Sequence, residues 1–496
     1  MKKLPIGKQY LAGLINDGYL YVDKTEIIYK LIATGSVYFL SRPRRFGKSL
    51  TVSTLMEIFS GNKELFKGLW IYDKIDWKEY PVIHIDFSEI IKKSVPVIDS
   101  INLRLNEIAS ENNITLRQKD YGLRFRELIR AVAADKPVVI LIDEYDKPII
   151  DYIEDIPQAE ENRDILKNFY SVLKGSDKFI KFLFITGVSK FSKVSIFSDL
   201  NHLYDITLDD NYAALTGYTE DELFQYFSDY IGAVQNKYEV LVPDIKVLIR
   251  DWYNGYSWDG KTFVYNPYSL LNFFSQQKFE DYWFKSGTPT FLMKLIKERK
   301  YPVMQFDNLR VRSDVFDKYE LSGMELVPLL FQTGYLTVKN YELSTGYYTL
   351  AYPNKEVELS FSSQLLSTLN ETSRSENSTL LQDMQKSLAE NDVDGFIHFL
   401  KVIFKNITYP LIEKRENYYH SVFYLIIKLL GFDIETEVLT CDGRIDAVIK
   451  TGNYIYIVEF KLASTGSAQR GTAQEAIDQI KKKEYALKYD GDKKEI

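Results

Sequence analysis

The chain has 496 residues, 45% hydrophobic and 26% charged, which is ordinary globular composition and excludes a disordered or fibrous protein. Its 62 basic and 69 acidic side chains give a net charge of −7, so no whole-protein field draws nucleic acid, and any such contact has to come from local patches. One cysteine, Cys441, excludes an internal disulfide and a thiolate metal cluster, and four histidines argue against a multi-histidine zinc site.

The start, Met1 to Lys8, carries charge but no apolar core, unlike a signal peptide. No run of about 18 apolar residues occurs to span a membrane. Cytoplasmic localisation is therefore expected. Residues 1–210 alternate apolar runs with helical patterns. The runs are Val37–Leu40, Val82–Ile85, Val138–Ile142, Phe182–Ile185 and Leu203–Leu208. Such alternation predicts an α/β domain, a mostly parallel sheet with helices on both faces.

Within that region the strand Val37–Ser41 leads into Arg42-Pro-Arg-Arg-Phe-Gly-Lys-Ser49, and Leu50–Phe59 then has helical spacing. Strand, loop ending in Gly-Lys-Ser, helix is the context of a phosphate-binding loop, here Arg45, Phe46, Gly47, Lys48 and Ser49. Gly47 lets backbone approach phosphate, Lys48 brings an ammonium to the β- and γ-phosphates, and the Ser49 hydroxyl can ligate Mg²⁺. The full pattern wants Gly where Arg42 stands. Arg44 and Arg45 either add phosphate contacts or compensate for a looser loop. A chance Gly-Lys-Ser at a helix start is the bland alternative. A second buried strand, Val138–Ile142, tipped by Asp143 and Glu144, weighs against it. Asp143 would hold Mg²⁺ and Glu144 would orient the attacking water. A third strand ends at Thr186, and Thr186 or Ser189 could sense the γ-phosphate.

Residues 211–395 read as a mostly helical, aromatic-rich middle region. A hairpin is expected over Tyr256–Tyr265, turning at Asp259-Gly260 and serving as a wing or lid. Residues 354–395 read as a connector or an exposed helical pair.

Residues 396–496 read as a last α/β domain. It has an apolar helix about Leu411–Leu430, short strands, and a Lys-rich helix about Ala473–Lys488. Its final residues look like the start of one more strand. In Asp446…Gly452-Asn453…Glu459-Phe-Lys461, two β-rich runs flank Gly452-Asn453, which suits a two-residue type II′ turn. The register then puts Asp446 directly across from Glu459, about 4.5–5.5 Å apart at Cβ. Glu459 and Lys461 share a strand face. Facing carboxylates repel, and a bridging Mg²⁺ would remove the penalty. Lys461 beside that ion could bind a scissile phosphate, so metal-assisted phosphodiester hydrolysis fits the trio. A solvated face of mixed charge is the bland alternative. Glu416 and His420, four apart on one helix face, and Gln479, near Lys481, Lys482 and Lys483, are weaker candidates.

Leu4–Gly7, Tyr21–Thr25, Phe39–Ser49, Ile140–Asp146, Ile185–Ser192 and the Asp446…Glu459-x-Lys461 hairpin together resemble the bacterial proteins that join an AAA-ATPase-like domain to a C-terminal PD-(D/E)XK nuclease-superfamily domain. Within that family the Arg-Pro-Arg-Arg-Phe-Gly-Lys-Ser loop is no defect. The resemblance implies ATP-dependent behaviour through Lys48, Ser49, Asp143 and Glu144, and a restriction-endonuclease-like core through Asp446, Glu459 and Lys461. The expectation is an ATPase coupled to Mg²⁺-dependent nucleic-acid cleavage, on DNA ahead of RNA, with homo-oligomers left open. The rival expectation is an ATP-driven switch whose last domain binds nucleic acid or a partner protein without cutting.

Overall fold

Strands β1 (Val37–Ser41), β2 (Val82–Asp86), β3 (Val138–Asp143), β4 (Ile180–Gly187) and β5 (Tyr204–Asp205) form one sheet in the order β2-β3-β4-β1-β5. Every pairing in it is parallel. β1 and β3 are buried at every position, and a strand covered on both faces reads as an unbroken apolar run. β5 is shorter than its run suggested. Asp205 Oδ1 accepts from Thr207 N at 2.9 Å, and this local turn ends the strand.

These elements come from a computed structural model that describes all residues except 191–195, 198, 199, 201, 239–243, 288, 289, 300, 302, 317–324, 406–415, 441, 442 and 462–468; the side chains at 416–418, 437, 439, 440 and 469–472 are also outside the description. Cys441, residues 191 and 192 of the fifth resembling stretch, and the first residues of the expected 411–430 helix therefore lie outside the described residues. The chain divides into two compact units, Met1–Gly287 with Asn308–Glu356, and Thr288–Asp307 with Val357–Ile496.

In the first unit the sheet is followed by helices Glu220–Tyr238, Ile245–Tyr253 and Pro267–Gln276. They bury Phe227, Tyr253, Phe273 and Phe274 together with Leu20 and Val22 of the N-terminal segment. A three-stranded antiparallel sheet, unexpected from sequence, joins β6 (Leu309–Arg312), β7 (Thr337–Glu342) and β8 (Tyr347–Ala351) in the order β6-β8-β7. The Tyr256–Tyr265 segment departs from a projecting wing. One antiparallel bridge, Tyr256 with Val264, closes it, and Tyr256, Trp258, Val264 and Tyr265 are all buried. Asp259 shapes its turn by accepting from Lys261 N and Thr262 N at 2.9 and 2.8 Å.

In the second unit, helices Arg374–Ala389, Val393–Lys405 and Glu416–Leu429 accompany the larger part of helix Lys355–Asn370. The 354–395 stretch is a helical pair, but not an exposed one: Val357, Phe361, Leu365 and Leu366 are fully buried. Their spacing puts one apolar stripe on a helix of polar average composition. Strands β9 (Asp433–Thr440), β10 (Gly443–Lys450) and β11 (Ile455–Val458) form an antiparallel sheet ordered β11-β10-β9. The Lys-rich helix runs Gln469–Lys482, and Tyr485–Tyr489 forms a separate 3-10 turn whose two tyrosines join the core with Ile445 and Val448. The final residues make one parallel bridge, Tyr454 with Glu495. Among the described residues, no helix is long and apolar enough to cross a membrane.

Candidate active sites

The order of the parallel sheet inserts β4 between β1 and β3, so the tips of these strands meet at one edge. The β1–β4 register pairs Leu40 with Thr186 and Ser41 with Gly187, and the β3–β4 register pairs Ile142 with Ile185. Helix Lys48–Phe59 starts directly after Gly47, whose φ of 90° is the left-handed turn that glycine adopts without strain. Its N-terminus attracts anions through its unpaired N–H groups and dipole.

Lys48 Nζ donates to the carbonyls of Arg42 and Pro43 at 3.0 and 3.1 Å. Burial pushes its ammonium below the ordinary range, and Glu144, Asp143 and Asp146 pull it back up. Burial pushes the Asp143 carboxyl up to about 6, against a hydrogen bond from Ser49 and the charge of Lys48. Glu144 is raised for the same reason and sits at φ 49°, left-handed for a residue with a Cβ. Such a conformation persists only where the surroundings dictate it.

Two hydroxyls were candidates at the β4 tip, and their surroundings differ. Ser189 Oγ donates to Asp146 Oδ2 at 2.6 Å, while Ser189 N and Val188 N also donate to that carboxylate. Thr186 Oγ1 is buried with no hydrogen-bond partner. The β3–β4 register carried one step further sets Thr186 next to Asp143, and an orphaned buried hydroxyl there suits a phosphate oxygen. Asp146 was missed as a site residue because its partners lie 42 and 43 positions further along the chain.

Next to the loop lies a cavity of about 470 Å³ whose walls include Gly7, Tyr21, Lys48, Glu144, Tyr218 and Tyr268. It joins the N-terminal segments Leu4–Gly7 and Tyr21–Thr25, which carried part of the resemblance, to the phosphate loop. Lys24, also on its wall, is fixed by Glu222 Oε2 at 2.6 Å.

The loop replaces glycine flexibility with outside support. Arg42 is fully buried, and its guanidinium lies 3.9 Å from the Trp258 ring centroid while donating to Thr207 O at 2.8 Å. Phe46 packs on Tyr256 at 4.7 Å between ring centroids. Arg45 has φ 68° and covers Tyr268 at 4.6 Å.

In the second unit, β10 and β11 pair Lys450 with Ile455 through Ala447 with Val458. The same register carried one step further sets Asp446 opposite Glu459. The turn is not type II′, because Gly452 is outside the positive-φ residues that type requires. Instead the Thr451 hydroxyl accepts from Tyr454 N at 3.0 Å and closes the loop with the same register. Asp446 Oδ2 accepts from Phe460 N at 2.9 Å. The Glu459 side chain is 3% exposed; Lys461 Nζ donates to its Oε1 at 3.2 Å and to Gln479 Oε1 at 2.8 Å. Gln479 Nε2 donates to the same Glu459 oxygen. Glu459 Oε2 is buried without a partner. Burial first, then the charge of Asp446, raises the Glu459 carboxyl.

Asp446, Glu459, Lys461 and Gln479 are thus together. The His420 ring meets that of Phe460, the residue between Glu459 and Lys461, at 4.3 Å between centroids, and the Glu416 side chain lies outside the described residues. Among the described residues no group of three His, Cys, Asp or Glu side chains gathers as a metal site, and the two carboxylates that meet here are Asp446 and Glu459. An orphaned carboxylate oxygen beside a second carboxylate suits a hard cation that keeps waters.

A family model described as "Predicted AAA-ATPase" matches residues 5–197, and one for the PD-(D/E)XK nuclease superfamily matches 414–496. The chain is 39% identical over 510 residues to a protein of Azotobacter chroococcum mcd 1 described as "Uncharacterized protein in vnfD 5'region", covering 98% of this chain and 94% of that one.

Proposed function

The chain belongs to the family that joins an AAA-ATPase-like domain to a PD-(D/E)XK nuclease-superfamily domain, and from that premise we propose that it hydrolyses ATP and cleaves nucleic acid, DNA ahead of RNA, in the cytoplasm. Ser49 and Asp143 would hold Mg²⁺ on the nucleotide, and Asp446 and Glu459 would hold it at the second site. The ion supplies neutralisation of phosphate charge when bound. Lys48 binds the β- and γ-phosphates, and Thr186 donates to a γ-oxygen. Glu144 orients water in line with the γ-phosphorus. At the second site Lys461 meets a non-bridging oxygen of the scissile phosphate, and Gln479 fixes Lys461 against Glu459.

One observation carries the cleavage reading: Glu459 Oε2 is buried, without a partner, beside Asp446 and Lys461. Plasmid, single-stranded DNA and RNA are incubated with the full chain, with and without Mg²⁺ and ATP, beside Asp446→Ala, Lys461→Ala and Lys48→Ala. Cleavage lost in the first two variants supports the reading. Loss in Lys48→Ala as well supports coupling to ATP, and homo-oligomerisation is read from ATP-dependent mass.

A second reading rests on Glu459 Oε1, which Lys461 and Gln479 already engage. Such a closed site suits a domain that binds nucleic acid or a partner protein without cutting. Gel-shift binding with no cleavage in any condition would favour it.

A further inference from the structure

The phosphate loop holds three arginines with different surroundings. The Arg42 guanidinium is fully buried on Trp258 and serves the loop's architecture. Arg45 lies against the Tyr268 ring, and both line the cavity. Arg44 lines the same cavity and is exposed, and among the described residues its guanidinium has neither an ion-pair nor a hydrogen-bond partner.

The base of Arg44 is nevertheless fixed. Trp283 Nε1 donates to its carbonyl at 3.0 Å. Its Nη1 lies 3.6 Å from where a Cβ on Gly287 would stand. Its charge reaches Lys48, adding to the burial that already lowers that ammonium. Two cations that repel one another thus line one cavity, with Glu144 also on its wall. An anion between them relieves the repulsion, and a guanidinium matches phosphate oxygens with parallel N–H donors.

We propose that Arg44 is a catalytic residue acting in cis, its guanidinium bonding the γ-phosphate oxygens as ATP is hydrolysed. The inference rests on the ATPase reading above. In the step, the water oxygen forms the new bond to the γ-phosphorus. The bond from that phosphorus to the β–γ bridging oxygen breaks, and its electron pair leaves on ADP. The water proton passes to Glu144 and then to solvent. Arg44 takes no proton; it meets charge that grows on the equatorial and bridging oxygens.

The test uses the full chain with Mg²⁺·ATP for turnover and a non-hydrolysable ATP analogue for binding. Arg44→Ala should lower kcat by roughly a thousandfold or more while analogue affinity changes only about threefold. Arg44→Lys should recover little, because an ammonium lacks the paired donors. Arg45→Ala should instead raise KM. Mixing Arg44→Ala with Lys48→Ala chains should restore no activity, since each site needs both groups from one chain. Wild-type-like kcat in Arg44→Ala, parallel loss of analogue binding, or rescue in the mixture would each overturn the assignment while leaving the ATPase reading intact. A wild-type chain that turns over no ATP would overturn both.

Discussion

The indole N–H of Trp283 donates to the carbonyl oxygen of Arg44 at 3.0 Å. A residue almost 240 positions away thereby holds the middle of the phosphate loop. Gly334 completes the support. A Cβ there would stand 2.8 Å from Pro43 Cβ and 3.3 Å from Trp283 Cζ2. Aromatic and glycine neighbours from distant segments close around the loop, so its shape does not depend on glycines where its arginines stand.

Gly334→Ala should therefore weaken nucleotide binding. Its φ of 91° strains any side chain by about 1–2 kcal/mol, and the added methyl also presses on Pro43. An analogue titration should show affinity at least about tenfold lower, equivalent to about 1.4 kcal/mol. Gly346→Ala is the control: its φ is 71°, but open space surrounds it. It should lose similar stability and bind nucleotide normally. Equal affinity in both variants would remove Gly334 from the loop's support.

The Asp143 carboxyl, pushed up to about 6, should set an acid limit on the proposed nucleotide turnover. Below that pH it is protonated and cannot hold a metal ion. An ordinary aspartate would keep its charge to about pH 4. For the free enzyme, kcat/KM for ATP should fall about tenfold per unit as pH drops below 6. Initial rates from pH 4.5 to 8 at fixed ionic strength check this. A profile flat to pH 5 would mean that Asp143 is not the limiting group.

Glu459 predicts a stability change that metal reverses. Its carboxyl is raised by burial and then by Asp446, so the folded state prefers it protonated. That stability is present at low pH and is lost as pH rises through the raised value. Mg²⁺ binding only the folded form restores it. Glu459→Gln should remove both the pH slope and the Mg²⁺ response, and should leave the metal-free chain more stable than wild type at pH 8, because the amide brings no buried second negative charge beside Asp446. Thermal scans with Mg²⁺ and with chelator measure it. An equal Mg²⁺ shift in wild type and Glu459→Gln would place the ion elsewhere.

Much of this was legible in sequence where one local rule acts alone. β1, β3 and β4 announce themselves because parallel strands buried on both faces are unbroken apolar runs. The β10–β11 register was legible because a two-residue loop leaves few alternatives, even though Thr451, not a left-handed Gly452, closes the turn. What stayed hidden depends on distant partners. β6 and β8 mix Arg and Tyr, and their pairing spans residues far apart in the chain, so no run marked them. Asp146 had no role assigned from sequence, because the Val188 and Ser189 amides that donate to it lie 42 and 43 positions further along the chain. The buried stripe of Val357, Phe361 and Leu365 was masked by the polar average around it.

Glu356 was hidden in the same way, and it carries the last prediction. It is fully buried, and its Oε1 accepts from Trp283 N at 2.6 Å while Oε2 has no hydrogen-bond partner. Burial raises its carboxyl to about 8, with Ser269 and the Trp283 amide opposing. Near neutral pH the folded chain therefore holds a protonated acid, whereas the unfolded chain ionises at about 4.3. Because the folded value is the higher one, the stability from this group is complete below the unfolded value and declines until pH passes about 8. Urea midpoints of the first unit should fall from pH 5 to pH 9 in wild type. Glutamine copies the neutral acid in shape and cannot ionise, so Glu356→Gln should match wild type at pH 5 and exceed it at pH 9. The difference should also appear in nucleotide binding, because the Trp283 that meets Glu356 is the one that holds Arg44. If both proteins lose stability in parallel across this range, another buried group sets the slope and Glu356 is ionised in the fold.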